Sequence, residues 1–345
     1  MKKAVVGIDI SMDDFHVCFK YETESGVVKI KGSRSFRSTT KEFEEFLLWS
    51  RKKGKDSSLR FVMEATGVYH ENLAHFLYEN GEAVTIVLAN KMKSYIKSFN
   101  IKTKTDKADA NAIAQFGIER ALVDWQPMSP EYKALRDLCR ELLSIKKDKQ
   151  RATSQLHAFE KSHKKHKEII DLKLQQIAFY TENITLIEKL IHSSVSKDKE
   201  LKEKIRKVTT IPGLGFITAV ILACETNGFV LFDNIRQVVS YAGLDVTFNQ
   251  SGKYNGKTRI SKKGNSRIRQ ALYMPGLSAC RFNPQIKELY ERICLKNPDI
   301  KRKGIVAGMR KLLILAYTLW KNDEEYNPDY QWNSGQNEPE ASFSI

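Results

Sequence analysis

The chain has 345 residues, with 57 Lys and Arg against 41 Asp and Glu and a formal net charge of +16. This length exceeds one ordinary compact core, so two or three domains are expected. A cationic excess of this size indicates a polyanionic partner. The five cysteines are scattered, which excludes a disulfide framework or a zinc module. Apolar runs fall short of the roughly 20 residues of a membrane span, and the first residues, MKKAVVGIDIS, predict a strand rather than a signal peptide. A cytoplasmic protein without a membrane partner is expected.

Residues 1–125 alternate between strand and helix patterns. Residues 3–10, 14–21 and 26–35 predict an antiparallel meander. The later segments read as a helix over 40–52, a strand ending at Glu64, a helix closing on Gly81, the strand AVTIVLAN and a helix over 106–122. A meander followed by alternating strands and helices predicts an α/β domain with a mixed sheet of the ribonuclease-H type.

The composition changes after WQPMSP, and residues 126–207 form a second predicted region. From 131 to 207 the sequence is rich in Lys, Glu, Leu and Ile and has neither Pro nor Gly. Apolar residues recur at helical spacing, so long helices are expected, as an antiparallel pair turning near residues 163–167. The heptads are too irregular to require a coiled coil. A plain helical arm that contacts a second copy and a nucleic-acid backbone is the simplest interpretation.

Residues 208–322 form a third, mostly helical region, and residues 323–345 are polar and predicted to be a disordered tail. Within 209–223 the sequence TTIPGLGFITAVILA predicts a helix-hairpin-helix, in which Gly213 and Gly215 turn the chain so that backbone N–H groups meet a DNA phosphate. Proline-glycine turns also join helices without any ligand, so this motif alone does not establish DNA binding.

Acidic residues from three separate segments fall where such a sheet would gather them. Asp9 lies in the first strand, Glu64 ends a later strand, and Asp106 with Asp109 share one helix face at i, i+3 spacing. Neighbouring carboxylates repel one another, and hard divalent cations offset that repulsion. Two such ions suit phosphoryl transfer. The competing interpretation is that each acid serves as a turn former or a helix N-terminal residue.

A second candidate site lies between residues 241 and 272, where four glycines accompany a run of basic residues. Ser251 precedes Gly252 there, and its hydroxyl is suited to attack a phosphodiester and form a phosphoserine link. A Ser-Gly turn without chemistry is the alternative, and Ser261 and Ser266 compete as nucleophiles. The candidate phosphate contacts of the whole chain are the two hairpin glycines and Lys104, Lys107, Lys253, Lys257, Arg259, Lys262, Lys263 and Arg267.

The motifs GIDIS, VMEATG, KTDKADA, IPGLG, YAGL, QSGK and ISKKGNSRIRQAL occur in this order. Together they resemble one insertion-sequence transposase family that includes Piv-like DNA invertases and bridge-RNA-guided recombinases. The resemblance runs from about residue 4 to 322. It implies an N-terminal RuvC-like domain with a tetrad of Asp9, Glu64, Asp106 and Asp109, a dimerising helical arm, and a C-terminal domain with Ser251 as nucleophile.

The resemblance also implies partners and a cofactor. A bridge RNA would pair with donor and target DNA, and homodimers would assemble into tetramers in which one subunit's acids meet another's serine. The tetrad would hold Mg²⁺ at two sites, with Mn²⁺ as a substitute, in a nucleoid-associated protein of a prokaryote. Two positions depart from the usual family pattern, since Val246 stands where a proline is common and Met12 where a lysine is common. Neither change removes a reacting group.

Three other classes remain open on the sequence. A RuvC-like nuclease would cleave DNA junctions with water and leave Ser251 structural. An actin-like kinase also opens with a segment such as GIDIS, but it requires further glycine-rich phosphate loops where this chain has an acidic pair. A non-catalytic nucleic-acid-binding protein fits the charge and the helical arm. Substitution of Asp9 and Ser251 separates these classes from a recombinase.

Overall fold

The fold is given by a computed structural model, which describes residues 3–55, 57–99, 105–252, 254–256 and 258–329. The chain divides into two compact units, Met1–Pro127 and Met128–Ile345. The finer division of the second unit into an arm and a C-terminal domain stays a prediction. Most of the predicted tail, from residue 330 onward, lies outside the described residues.

The described residues of the first unit alternate between strands and helices. In chain order these are β1 (Lys3–Ile10), β2 (Asp14–Glu22), β3 (Val28–Arg37), α1 (Thr40–Gly54), β4 (Leu59–Glu64), α2 (Tyr69–Glu79), β5 (Ala83–Val87), α3 (Ala89–Ser98) and α4 (Asp106–Glu119). Thr39 caps α1, since its side chain accepts a hydrogen bond from the amide of Glu42. Helix α3 was not predicted, because its sequence ANKMKSYIKS carries few apolar residues.

The strands form one mixed sheet in the order β3-β2-β1-β4-β5. Strands β1, β2 and β3 run antiparallel as a meander, whereas β4 and β5 run parallel to β1. The predicted mixed sheet is therefore confirmed. Because β1, β4 and β5 are parallel, their carboxyl ends meet at one edge of the sheet.

Both faces of the sheet are covered by helices. On one face Val6, Ile8 and Phe15 pack with Phe46 of α1 and Leu73 of α2 in a common core. On the other face a smaller core is formed by residues of β1, β4, β5, α3 and α4, namely Val5, Val62, Val87, Met92, Ile113, Phe116 and Ile118. Since successive strand residues point to opposite faces, Asp9 belongs to the side of Val5, under α4.

Helix α4 crosses β1 at Gly7, where the two backbones nearly touch. A Cβ built on Gly7 would lie 2.7 Å from Ala114 Cα and would also meet the carbonyl oxygen of Ala110. Any side chain at position 7 would therefore push the helix away from the sheet. Gly7 sets the distance between β1 and α4, and with it the position of the acids at the start of α4.

The described residues of the second unit are mostly helical. The elements are α5 (Pro130–Lys161), α6 (Lys167–Lys197), α7 (Lys199–Thr209), α8 (Phe216–Glu225), α9 (Ile235–Ala242), β6 (Val246–Thr247), β7 (Gln250–Ser251), β8 (Tyr254–Asn255), β9 (Arg259–Ile260), α10 (Ser266–Phe282), α11 (Pro284–Lys296) and α12 (Arg302–Asn322). The mostly helical character predicted for this part of the chain is confirmed. The four short strands were not predicted.

Helices α5 and α6 form an antiparallel pair whose connection spans residues 162–166, close to the predicted turn. Leu142 of α5 and Ile191 of α6 are fully buried in the core of this unit. Lys146 and Glu188 form an ion pair across the two helices at 2.8 Å. The predicted dimer contact and coiled-coil character of this pair stay predictions.

None of the described helices combines the length and the apolar character needed to cross a bilayer. The cysteines are free thiols, and Cys18, Cys139, Cys224 and Cys280 are buried, while Cys294 is half-buried. The thiols thus serve as small apolar side chains of the two units.

Replacing Gly7 with Ala tests the close crossing of β1 and α4. The new methyl group cannot be accommodated against the helix backbone, so we expect a loss of about 3 kcal/mol of unfolding free energy and faster hydrogen exchange in α4. Gly26→Ala is the control, because open space surrounds that position and only its left-handed backbone (φ 79°) adds about 1 kcal/mol of strain. Equal losses in urea unfolding of the two variants would contradict this role of Gly7.

Candidate active site

Asp9 and Glu64 lie at the ends of two neighbouring parallel strands. The register of β1 against β4 pairs Ile8 with Met63, and the two acids are the next residues on their strands. Strand alternation places both on the face that α3 and α4 cover, and both are half-buried. The fold therefore brings together two of the predicted site residues that are 55 positions apart in the sequence.

The first turn of α4 carries the other two acids to the same edge. Thr105 caps this helix by accepting a hydrogen bond from the amide of Ala108 at 3.2 Å. Asp106 is exposed and Asp109 is half-buried. Because α4 lies directly on Gly7, two residues before Asp9, its first turn is held beside the carboxyl end of β1.

His16 is a site residue that the sequence analysis missed. It lies opposite Asp9 in the antiparallel register of β1 and β2, and its Nδ1 atom is 3.9 Å from Asp106 Oδ2. His16 therefore stands between an acid of the strand and an acid of the helix. The predicted turn of residues 11–13 would have placed Phe15 opposite Asp9, so the observed register was needed to find this histidine.

The acids share an edge without forming a closed coordination shell. Within the described part of the chain, no group of three or more His, Cys, Asp or Glu side chains is placed to hold a metal ion. The carboxylate oxygens are the donors that hard divalent cations prefer. The donor chemistry of the four acids thus fits such an ion.

A row of polar side chains fixes the rotation of α4 against the sheet. Lys20 of β2 is buried and donates to Gln115 Oε1 at 2.7 Å. Gln115 in turn donates to Glu119, which also accepts the Tyr95 hydroxyl at 2.7 Å. Burial lowers the pKa of Lys20, and the hydrogen bond from Tyr95 lowers the pKa of Glu119. Because α4 cannot rotate without breaking this row, the direction of Asp109 is fixed as well.

Ser251 lies at the tip of a short β-hairpin, which we call the serine hairpin (residues 246–260). Strand β6 pairs with β9 and β7 pairs with β8, so that Ser251 stands opposite Tyr254. Gly252 follows Ser251 with a φ of 54°, the left-handed backbone of a tight turn. Ser251 is exposed to solvent.

The root of the serine hairpin is held by backbone contacts between its two ends. The amide of Ser261 donates to the carbonyl of Asp245 at 2.9 Å, and the amide of Lys262 donates to the carbonyl of Gly243 at 3.1 Å. The Ser261 hydroxyl also donates to Asp245 Oδ1. A Cβ on Gly264 would lie 2.6 Å from the amide nitrogen of Gly243. Glycine is therefore required where the two ends cross.

A buried carboxylate below this root was also missed by the sequence analysis. Glu225, the last residue of α8, is 4% exposed and accepts two hydrogen bonds from the guanidinium of Arg140, at 2.7 and 2.9 Å. It accepts a third from Asn265 at 2.7 Å. Burial works to raise the pKa of Glu225, but the hydrogen bonds from Arg140 and Asn265 outweigh it and lower the pKa below its ordinary value. Glu225 is therefore a buried anion.

The surface of the serine hairpin and of residues 261–267 after it combines cationic and aromatic side chains. Phe248 is 69% exposed and Tyr254 is 61% exposed. The predicted phosphate contacts Arg259, Lys262, Lys263 and Arg267 are exposed, as is Lys107 at the start of α4. The predicted contacts Lys104, Lys253 and Lys257 lie outside the described residues. Cations beside exposed rings are the composition that binds nucleic acid.

The segment predicted to form a helix-hairpin-helix contains the end of α7, a turn and most of α8, and the motif itself stays a prediction. Gly213 in that turn has a φ of 99°, and a Cβ there would lie 2.7 Å from the amide nitrogen of Ala279 on α10. Packing therefore explains Gly213 without a ligand. Gly215 caps α8, with open space around its Cα. Its DNA contact stays a prediction.

Comparison with protein families identifies the chain from both of its units. A transposase model of the IS110 DEDD type matches residues 6–162, and a model of the transposase family IS116/IS110/IS902 matches residues 205–291. The chain belongs to this family of transposases. The resemblance expected from the sequence motifs is thus confirmed, and the matches include both the acidic edge and the serine hairpin of the transposase.

Curated relatives extend over most of the transposase. A pilin gene-inverting protein of Moraxella bovis is 28% identical over 332 residues, covering 95% of this chain and 98% of that protein. The transposase for insertion sequence element IS1328 of Yersinia enterocolitica is 21% identical and covers 78% of this chain and 81% of its own length. The Thermus thermophilus RuvC structure matches with a TM-score of 0.28 at 12% identity, covering 35% of this chain and 99% of that one. A TM-score this low does not establish a common fold.

Proposed function

We propose that this transposase cuts and rejoins DNA with Ser251 as its nucleophile and Asp9, Glu64, Asp106 and Asp109 as its metal-binding acids. The observation that carries the proposal is the meeting of three chain segments at one sheet edge. Two strand ends and the first turn of α4 supply acids there, and glycine at position 7 allows the helix to lie close enough.

The four acids are proposed to hold Mg²⁺ at two sites, with Mn²⁺ as a substitute. The oxygen donors fit this choice, as do the parallel strand ends that present two of them. When bound, such ions supply positive charge beside the scissile phosphate. The position of the ions would follow from the position of α4. This helix is fixed on the sheet by its contact with Gly7 and by the hydrogen bonds that run from Lys20 to Tyr95.

Ser251 is proposed to exchange one phosphate ester for another. Its Oγ forms a bond to phosphorus, the bond from phosphorus to one deoxyribose oxygen breaks, and that oxygen takes up a proton while the serine proton passes to solvent. The reverse step with the end of another strand restores a DNA phosphodiester. Because the phosphoserine bond keeps the energy of the ester, rejoining needs no nucleotide cofactor.

The proposed partners are donor DNA, target DNA and a bridge RNA that pairs with both. Membership in the transposase family supports the DNA partners, and the sequence resemblance supports the RNA. The exposed cations and rings of the serine hairpin suit phosphates and bases. The same resemblance supports homodimers that contact through α5 and α6 and assemble into tetramers.

Asp9→Asn tests the acidic edge. The amide keeps the shape of the carboxylate but loses its charge, so we expect DNA strand cleavage to fall by about 100-fold or more while DNA binding persists. Cleavage of a labelled junction substrate in Mg²⁺ and a gel-shift titration measure the two effects. Glu44→Gln, an exposed acid of α1, is the matched control and should cleave normally. Normal cleavage by Asp9→Asn would show that the acidic edge is not the catalytic metal site, and no cleavage even by the unaltered chain would favour a non-catalytic binding protein.

Ser251→Ala distinguishes a serine recombinase from a nuclease that uses water. We expect the variant to lose the covalent protein–DNA complex that survives denaturing electrophoresis, because no oxygen remains to bond phosphorus. Ser266→Ala, which removes an exposed hydroxyl at the start of α10, should keep that complex. If Ser251→Ala still cleaves and transfers strands like the unaltered chain, water is the nucleophile and this part of the proposal fails.

Arg259→Ala and Lys263→Ala test the proposed backbone contacts of the serine hairpin and of the basic segment that follows it. Each substitution should weaken binding to unrelated DNA sequences alike and lower the slope of log K against log salt by about 1. Lys296→Ala, an exposed cation at the end of α11, should leave the slope unchanged. Salt titrations by fluorescence anisotropy measure all three. An unchanged slope in both Arg259→Ala and Lys263→Ala would place the DNA elsewhere.

A further inference from the structure

Glu225 and Asn265 connect the core of the second unit to both ends of the serine hairpin. Asn265 donates its side-chain amide to Glu225, while its side-chain oxygen accepts the amides of Arg267 and Ile268 at 2.9 and 3.3 Å. Each end of the Asn265 side chain therefore has its own fixed partner. The side chain joins the buried carboxylate to the first turn of α10.

The same carboxylate residue also holds the segment that enters the hairpin. The Tyr241 hydroxyl donates to the backbone carbonyl of Glu225 at 2.9 Å, and the carbonyl of Tyr241 accepts the amide of Asn265 at 2.7 Å. The chain enters the hairpin through Tyr241 and leaves it through Asn265. Both ends are thus tied to one residue of α8, which is itself paired with Arg140 of α5.

The serine hairpin depends on this root for its direction. Its described residues are exposed or half-buried, and its two ladders contain only two paired positions each. A two-stranded ribbon of this size does not hold a fixed direction by itself in water. Contacts at its base must therefore set the direction in which Ser251 points.

We propose that Glu225 is a positioning residue that fixes the root of the serine hairpin through Asn265 and thereby aims Ser251. The proposal rests on the proposed role of Ser251 as nucleophile. Glu225 has no contact with the reacting atoms in this scheme. Its effect passes through three hydrogen bonds, one from Asn265 to Glu225 and two from the α10 amides to Asn265.

The test reverses the polarity of the Glu225–Asn265 hydrogen bond in the full chain. Asn265→Asp keeps the helix cap, because aspartate accepts the same two amides, but it places a second carboxylate against Glu225. Glu225→Gln leaves an amide that cannot accept from Arg140 and Asn265 as fully as a carboxylate does. In the double variant the new side-chain amide at position 225 donates to the new carboxylate at position 265, and the net charge equals that of the unaltered chain. The hydrogen bond from Arg140 Nη2 is lost, because it shares Glu225 Oε2 with Asn265.

Two readouts are measured for each variant. Hydrogen exchange of peptides covering residues 240–270 reports the root, where the amides of Ser261, Lys262 and Asn265 should exchange at least about tenfold faster in both single variants. Formation of the covalent protein–DNA complex should slow by about 100-fold, as expected for a displaced reacting group. The double variant should recover part of both losses, because the Glu225–Asn265 contact is restored while one hydrogen bond from Arg140 is not.

Asn234→Asp is the matched control, since Asn234 caps α9 in the same way and is exposed. It should change neither readout. The proposal is overturned if Asn265→Asp keeps normal exchange and rate, or if the double variant is as impaired as the worse single variant. If Asn265→Asp does not fold, the test relies on Glu225→Gln, which introduces no new carboxylate. Faster exchange at the root of that variant supports the proposal, and normal exchange overturns it.

The exchange measurement does not depend on the nucleophile. Should Ser251→Ala prove fully active, the proposed chemistry fails, yet the exchange cycle still shows whether Glu225 fixes the hairpin root. Conversely, the reaction can depend on Ser251 while hydrogen exchange at the root is unchanged in the three variants. That result would support the proposed chemistry and refute the positioning role of Glu225.

Discussion

The contact between Gly7 and the backbone of α4 is the constraint on which the acidic edge depends. β1 supplies Asp9, α4 supplies Asp106 and Asp109, and the distance between them is set where the helix crosses the strand. Closely packed backbones leave no room for adjustment, so this distance is fixed by the absence of one Cβ atom. The row of hydrogen bonds from Lys20 to Tyr95 then fixes the rotation of the helix.

In the second unit the candidate nucleophile lies on an exposed hairpin, so packing in a core does not position it. A helix or strand in a core is positioned by packing, whereas the serine hairpin is positioned at its base. There two glycines permit the chain ends to cross, and a buried anion is joined to both ends. A buried ion pair is weak evidence of stability in itself. The hydrogen bonds of Glu225 have defined directions, so they are better suited to orienting the serine hairpin than to stabilising the unit.

The sequence predicted those features that local patterns determine. The strand and helix periods located β1, β2, α1 and α4 to within a few residues, and they placed Asp9 and Glu64 on two strands of a mixed sheet. Helix α3 was not predicted because its apolar stripe is short. His16 and Glu225 escaped because their importance depends on partners, Asp106 and Asn265, that are 90 and 40 positions away. A change of one residue in strand register moves a side chain to the other face.

The crossing at Gly7 also has a consequence for synthesis of the protein. The ribosome releases β1 about a hundred residues before the helix that must cover it, so the groove over Gly7 stays open while the rest of the first unit emerges. A fragment that ends between residues 88 and 105 contains β1 to β5 but lacks α4 and, with it, Asp106 and Asp109. Such a fragment cannot assemble the acidic edge, because two of its four acids are missing.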